Sequence, residues 1–430
     1  MAWLHEVSMG RGRVSFRVRF ACVLVLAALV SWSPRRAIAA EPGAEVDWSG
    51  PPARVLADAA RLAGNEDAAV VVLLKDALFT FEADGSVTST YRTVYRIQRR
   101  TDVPAKWRGL VAEWRPLESE RPRLRSRVIS ADGQVHELRA EDIGEEIDQD
   151  ARKKDVDQRW VQARLPGLGV GAVVDEEVSR LERNPLRAAN WIFRFAEASA
   201  PVLRSRWRVF LPPKELRVHF SSVGLKSAAR KDDYSITYEE GPLAATPMDD
   251  PAQPAITFTA ASSWQQQAED YVAVVEPLID ARNGAAYAAA IHAAATRDVR
   301  QLARRDLAWI HAHVRYREVD FVADGLTPPS PAQTVARGIG DCKAKAVLLA
   351  AILRAQHVDA HVVFAAVFRD VHPTLPGIGW FDHMLVVVPG EHPVWIEATT
   401  PNGELFPPGR GRPALIIDRA TVGLTTTPDR

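Results

Sequence analysis

Apolar positions change period along the chain and divide it into two regions. From residue 69 to about 240 they alternate or run in short blocks. Val70–Leu74 and Ala77–Phe81 are apolar runs, and Val87, Val94, Tyr95 and Ile97 stand among Thr and Arg in the segment that follows. Ala83-Asp84-Gly85 and Ala131-Asp132-Gly133 lie between such runs, the second joining Arg127–Ser130 to Gln134–Leu138. Asp-Gly flanked by strand-like runs is a hairpin signal, which predicts antiparallel β structure. Ala172–Val178, Trp191–Phe195, Val202–Leu211, Val218–Ser222 and Ser235–Tyr238 extend the pattern to a β-sandwich. Arg204, Arg206 and Arg208 alternate with apolar positions and read as the wet face of a half-buried strand. The charge run from Glu141 to Arg159 reads as a solvated loop or helix face.

Pro242–Pro254 holds four prolines and two aspartates and reads as a linker. Beyond it the spacing becomes helical. Ser262 or Ser263 caps a helix from Trp264 to Val275, and Thr296 caps Arg297–Val314, whose Val299, Ala303, Leu307, Ile310 and Val314 form one stripe. His311 and His313 lie two apart on that helix, face different ways, and make no metal pair. Ala346, Leu349, Ala350 and Leu353 give the next helix a buried face, and Ala360–Phe368, Trp380–Val388, Pro393–Glu397 and Leu415–Asp418 return to β. Helices followed by antiparallel strands describe an α+β domain. The expected organisation is a signal peptide at 1–39, a linker with a short helix (Pro52–Ala63) at 40–65, the β-sandwich domain at 66–241, the Pro-rich linker at 242–255 and the α+β domain at 256–430.

A chain of 430 residues accommodates two or three domains. The net charge is zero, but residues 1–39 carry six Arg and one acid, and the remainder has 48 basic and 53 acidic residues. A mildly acidic body gives no reason to expect nucleic acid or an anionic membrane surface as partner. Arg11, Arg13, Arg17 and Arg19, the apolar run Phe20–Val30 and the small residues Ala37-Ile38-Ala39 make an export signal. Its apolar core is short for a transmembrane helix. The expected location is therefore periplasmic or extracellular, with membrane attachment only through an uncleaved signal. Cys22 falls inside that signal, so Cys342 is the lone thiol of the mature chain and no internal disulfide can form.

Candidate chemistry centres on Cys342. Glycines and an acid (Gly338-Ile-Gly-Asp) precede it, as suits a tight turn and a helix start, where the dipole and free N–H groups favour a thiolate. Of the five histidines that follow (His357, His361, His372, His383, His392), only His383 interrupts an apolar strand. Glu397 ends the next apolar run, placed to hold the His383 imidazole. Thiol, histidine and carboxylate are the parts of a Cys–His–acid constellation. A metal at Cys342 and His383 would need more soft ligands than the region supplies, and no cofactor is called for.

The order Gly-x-Gly-x-Cys-x-x-Lys-Ala at 338–346, Asp-His followed by apolar residues at 382–388, and Trp-x-acid-x-Thr at 395–399 resembles the bacterial transglutaminase-like superfamily, a papain-like fold, from about Trp264 onward. The preceding region, with its Ala-Asp-Gly hairpins and Thr-x-x-Tyr at 88–91, is similar to the uncharacterised β-rich domain that often precedes such domains in exported bacterial proteins. The resemblance implies Cys342 as nucleophile, His383 as base and Glu397 in the place of the usual aspartate. It implies a thioester formed from a protein or peptide amide, peptidoglycan peptides included, and resolved by an amine or by water. The N–H of Cys342 and, by proximity, Gln333 are the expected oxyanion donors. Two positions depart from the pattern: Glu397 is one methylene longer than Asp, and Ala344 stands where close relatives carry an acid. The alternative that these departures raise is a weakened or inactive scaffold acting as an envelope binding protein.

Overall fold

The computed structural model describes residues 46–429 apart from 65–66, 83–85, 100–102, 117–118, 148–158, 184–189, 211–217, 292–295 and 319–325. The expected signal segment and the first Ala-Asp-Gly turn lie outside the described residues. After helix α1 (Pro52–Ala63) come β1 (Val70–Phe81), β2 (Val87–Ile97), β3 (Gly109–Trp114), β4 (Arg123–Ile129), β5 (Val135–Glu137), β6 (Ile143–Ile147) and β7 (Arg159–Arg164). They are followed by β8 (Val173–Glu182), β9 (Trp191–Arg194), β10 (Ser205–Phe210), β11 (His219–Val223), β12 (Arg230–Lys231), β13 (Ser235–Glu240) and β14 (Ala255–Thr259). Eight of these strands form one sheet in the order β12-β13-β10-β1-β2-β8-β4-β5, and two three-stranded sheets, β3-β7-β6 and β11-β14-β9, form its partners. The sandwich is thus one long layer against a divided one.

A single irregularity in β1 lets it serve both halves. Val70 and Val72 pack toward β3-β7-β6, while Val71, Leu73 and Leu74 face Val55, Ala59 and Ala63 of α1. The register of β1 against β2 shifts between Val72 and Leu74. This bulge resets the alternation, so Ala77, Phe79 and Phe81 return to the first face and pack against Phe193, Ile256 and Phe258. Asp76 then falls on the opposite face, where Arg206 and Arg208 donate to its carboxylate at 2.9 and 2.5 Å; Arg204 pairs with Glu239 at 2.8 Å. The arginine row of β10 is therefore neutralised within the sheet.

Three details differ from the expectations. β10 runs parallel to β1, because the chain passes through β9 in the other layer before returning to the long sheet. The charge run from Glu141 contains β6 and ends on β7. Its apolar alternation is hidden because Glu145, on the same strand face as Ile143, pairs with Arg121, while Glu146 on the opposite face accepts from Gln162. Pro242–Pro254 is no free linker: Leu243 exchanges backbone hydrogen bonds with Val202 at 2.7 and 2.9 Å, and β14 then pairs with both β9 and β11. The chain leaves the β-rich region only after Thr259.

The second region is α+β. It contains α2 (Trp264–Val275), α3 (Ala281–Ala290), α4 (Val299–His313), β15 (Arg315–Tyr316), α5 (Pro331–Arg337), β16 (Ile339–Gly340) and α6 (Cys342–Ala355). A sheet ordered β19-β18-β17-β20-β21 follows, from β17 (His361–Ala365), β18 (His383–Val388), β19 (Val394–Ile396), β20 (Pro413–Ile416) and β21 (Thr425–Thr426). Ser263 caps α2 by accepting from Gln266 N. Asp298, not Thr296, caps α4, accepting from Arg300 N and Gln301 N, while the Thr296 hydroxyl accepts from Asp298 N. α6 is buried on every side from Cys342 to Leu353. Phe364, Met384 and Val386 of the sheet share its core, and Leu385 and Val387 face the other way with Leu405 and Phe406.

Candidate active site

Cys342 is the first residue of α6. Gly338, in the left-handed region at φ +62°, stops α5 and turns the chain into β16, whose Gly340 pairs with Tyr316 of β15. Asp341 then caps α6: one carboxylate oxygen accepts from Ala344 N at 2.8 Å and the other pairs with Lys343 Nζ at 2.6 Å. The N–H of Cys342 belongs to the first turn, where no intrahelical acceptor exists. Cys342 is buried, at 5% exposure.

His383 opens β18 and Glu397 directly follows β19. Val386 pairs with Ile396 and Val388 with Val394, so the same register continued sets Glu397 opposite Leu385 and diagonal to His383. The longer glutamate side chain spans that diagonal. Its Oε2 lies 2.8 Å from His383 Nε2, and its Oε1 accepts from Thr399 N at 2.8 Å and from Thr399 Oγ1 at 2.7 Å. Glu397 is fully buried. With Nε2 occupied, Nδ1 is the nitrogen left for a second partner, and Cys342 lies close enough to act on the imidazole's proton affinity. Burial by itself pushes the His383 proton affinity down. The charges at Cys342 and Glu397, and the hydrogen bond to Glu397, more than offset it and hold the imidazole well above the ordinary histidine value. The structure therefore brings together the three residues singled out in the sequence.

Other expectations are redirected. Gln333 does not turn to the thiol: its side-chain oxygen accepts from Ser330 N at 2.9 Å and closes a capping box at the start of α5. Asp382, beside His383, is committed to the backbone, accepting from Val367 N at 2.7 Å and Phe368 N at 2.8 Å. Ala344 is buried with its Cβ close to Gly340, so that position faces packed backbone. His313 stacks on Trp309, a packing role.

Three neighbours were not read from the sequence. Lys345, one turn after Cys342, is fully buried and donates to His311 Nδ1 at 3.0 Å; His311 Nε2 in turn lies 3.2 Å from Thr400 O. Burial lowers Lys345 to about 8, and burial together with the Lys345 charge lowers His311. A neutral His311 is what this geometry requires, accepting at Nδ1 and donating at Nε2 to the turn after Glu397. Tyr316, 40% exposed, is raised by burial and then by the charges of Cys342, Glu318, Glu397 and Asp341. The Phe406 ring stands perpendicular to that of His383, with centroids 5.5 Å apart. The one available signal was Lys345 itself, a charged residue in the otherwise apolar run from Ala344 to Leu353. Among the described residues no cluster of three or more His, Cys, Asp or Glu is arranged to hold a metal ion.

A helix-borne thiol against a strand histidine, on an α+β scaffold, places the second region in the cysteine-protease or acyltransferase type of fold. Residues 285–404 match the transglutaminase-like superfamily, and residues 83–246 match the domain of unknown function DUF3857. The chain therefore carries a DUF3857 domain followed by a transglutaminase-like domain. Among solved structures it is similar to a Parabacteroides distasonis protein provisionally described as a protease, at 14% identity and a TM-score of 0.62, over 84% of this chain and 72% of that one. That likeness concerns the fold. An M1 zinc metallopeptidase from Deinococcus radiodurans (13% identity, 44% of this chain, 42% of that one) and a yeast LTA4 hydrolase (12%, 45% and 29%) also match, each with a TM-score of 0.25, too low to bear on this chain. Comparison with curated proteins finds no match.

Proposed function

We propose that this is an exported cysteine acyl-transfer enzyme acting on protein or peptide amides. The observation that carries the reading is His383, bonded through Nε2 to buried Glu397 and held in its charged form by the neighbouring Cys342 and Glu397. In this reading the Cys342 thiolate attacks the amide carbonyl, and the Cys342 N–H donates to the oxyanion. The His383 imidazolium gives its proton to the departing amine, leaving a thioester on Cys342. Water or a second amine then attacks the thioester carbonyl, loses a proton to His383, and restores the thiolate. Glu397 keeps the imidazole in one orientation and stabilises its charged form. Peptide amides of the cell envelope fit the proposed export.

The test is turnover on a panel of peptide amides, glutamine-containing peptides and cell-wall peptides by the wild type and by Cys342→Ala. Loss of all turnover in Cys342→Ala is expected, and undiminished turnover in that variant would refute the nucleophile. Export is tested by sequencing the N-terminus of the mature protein from fractionated cells, where the first residue after Ala39 is expected and an intact Met1 in the cytoplasm would refute it.

A further inference from the structure

Beside the imidazole stands an aromatic pair that the chemistry above leaves unused. Phe368, in the loop after β17, is 74% exposed. Its ring lies nearly parallel to that of Phe406 (interplanar angle 23°, centroids 6.4 Å apart), and the Phe406 ring in turn stands perpendicular to that of His383. A large aromatic side chain left in water costs free energy unless something covers it. This one is held in place. The Asp382 carboxylate accepts from Phe368 N and Val367 N, and Arg412 donates to Ala366 O at 2.7 Å and Arg369 O at 2.6 Å. The residue preceding His383, and Arg412 just ahead of β20, thus fix the loop that presents Phe368, so the aromatic surface is continuous with the proposed reaction centre.

The chemistry says which half of a substrate meets that surface. In acyl transfer the imidazolium hands its proton to the departing nitrogen, so groups flanking the imidazole flank the amine component. We infer that Phe368 and Phe406 form a subsite for a large apolar, preferentially aromatic, side chain on the amine half of the substrate. The substrate class is then a peptide amide with such a residue at the nitrogen, or an acceptor amine of that kind. This inference rests on the acyl-transfer reading, and the experiment separates the two.

Cys342 is loaded with p-nitrophenyl acetate. The sulfur bonds to the acetyl carbon as the C–O bond breaks and nitrophenolate leaves. The acetyl thioester is then offered phenylalaninamide, leucinamide or alaninamide in competition with water. The amine nitrogen bonds to the acetyl carbon, the C–S bond breaks, and the amine proton passes to His383. The ratio of N-acetyl amide to acetate, read by mass spectrometry, reports the amine subsite alone. The expected result is a nitrophenolate burst absent from Cys342→Ala, with an aminolysis ratio about tenfold higher for phenylalaninamide than for alaninamide. That preference disappears in Phe368→Ala, an exposed position that threatens no core packing, and persists in Phe368→Trp. A Cys342-dependent burst with equal ratios for the amines, or a preference that survives Phe368→Ala, overturns the subsite and leaves the acyl-transfer reading standing. No Cys342-dependent burst overturns that reading and the subsite with it.

Discussion

His383 carries its proton to higher pH when folded than when unfolded, and this shift has consequences at the scale of one residue. A raised imidazole contributes stability that is complete below about pH 6.5 and is lost as pH rises through the folded value. An NMR titration of the His383 ring is therefore expected to show a midpoint well above the ordinary histidine value, falling toward it in Cys342→Ala; a midpoint unchanged by that substitution would remove the thiol as partner. Glu397→Gln keeps the side-chain length but removes the charge that stabilises the imidazolium. Acylation by p-nitrophenyl acetate is expected to slow about a hundredfold or more, read as the rate of the nitrophenolate burst. His383 was legible in the sequence because a histidine breaking an apolar strand needs a partner. Glu397 was legible as a strand-end acid, although its fit depends on register: the diagonal to His383 uses the extra methylene. Lys345 and His311 were not legible as a pair, because 34 residues separate them and only the packing of α4 on α6 brings them to 3.0 Å.

Elements are governed by how closely they approach α6. A Cβ on Gly284 of α3 would lie 2.0 Å from the Ala351 carbonyl oxygen. Backbone on both sides leaves nothing to yield, so Gly284→Ala is expected to cost about 3 kcal/mol or more, measured by denaturant unfolding. That contact also explains why α3 escaped a pattern reading: its alanines offer no large apolar stripe, and tertiary contact at a glycine replaces it. α5 is seven residues long, too short to show a period. Asp306 of α4 is fully buried and accepts from Gln356 at 2.9 Å, and its Oδ2 has no hydrogen-bond partner among the described residues; burial raises its carboxyl to about 6. A carboxyl raised in this way costs the fold stability that sets in as pH rises past the unfolded value of about 4 and is complete above about 6. Asp306→Asn is therefore expected to stabilise the protein by about 2 kcal/mol at pH 7.5, with the gain vanishing below about pH 4. Thermal melts across that pH range check the sign.

Across the whole molecule, the β-rich region reaches the segment that leads into β18. Asn190, just before β9, accepts from Gly379 N at 2.9 Å, and a Cβ on Gly377 or Gly379 would fall 2.6 Å from its side-chain oxygen. Trp380 Nε1 donates to Leu375 O in the same segment, three residues ahead of His383. Asn190→Ala should cost about 1 kcal/mol of stability and slow the ester burst, since it loosens the approach to His383; a burst rate equal to wild type would show that the two regions are uncoupled. The fold class could be read from the change of period, whereas the boundary could not. Prolines at 242–254 mimic a linker, but Leu243 and β14 return to the sandwich through backbone hydrogen bonds that side-chain patterns do not encode. Among the described residues no helix is long and apolar enough to cross a membrane. What the whole arrangement comes down to is whether His383 activates Cys342. The most direct measurement is the rate at which iodoacetamide alkylates Cys342 at neutral pH in wild type and in His383→Gln. A fall of about tenfold or more in the variant is predicted; equal rates would contradict the account.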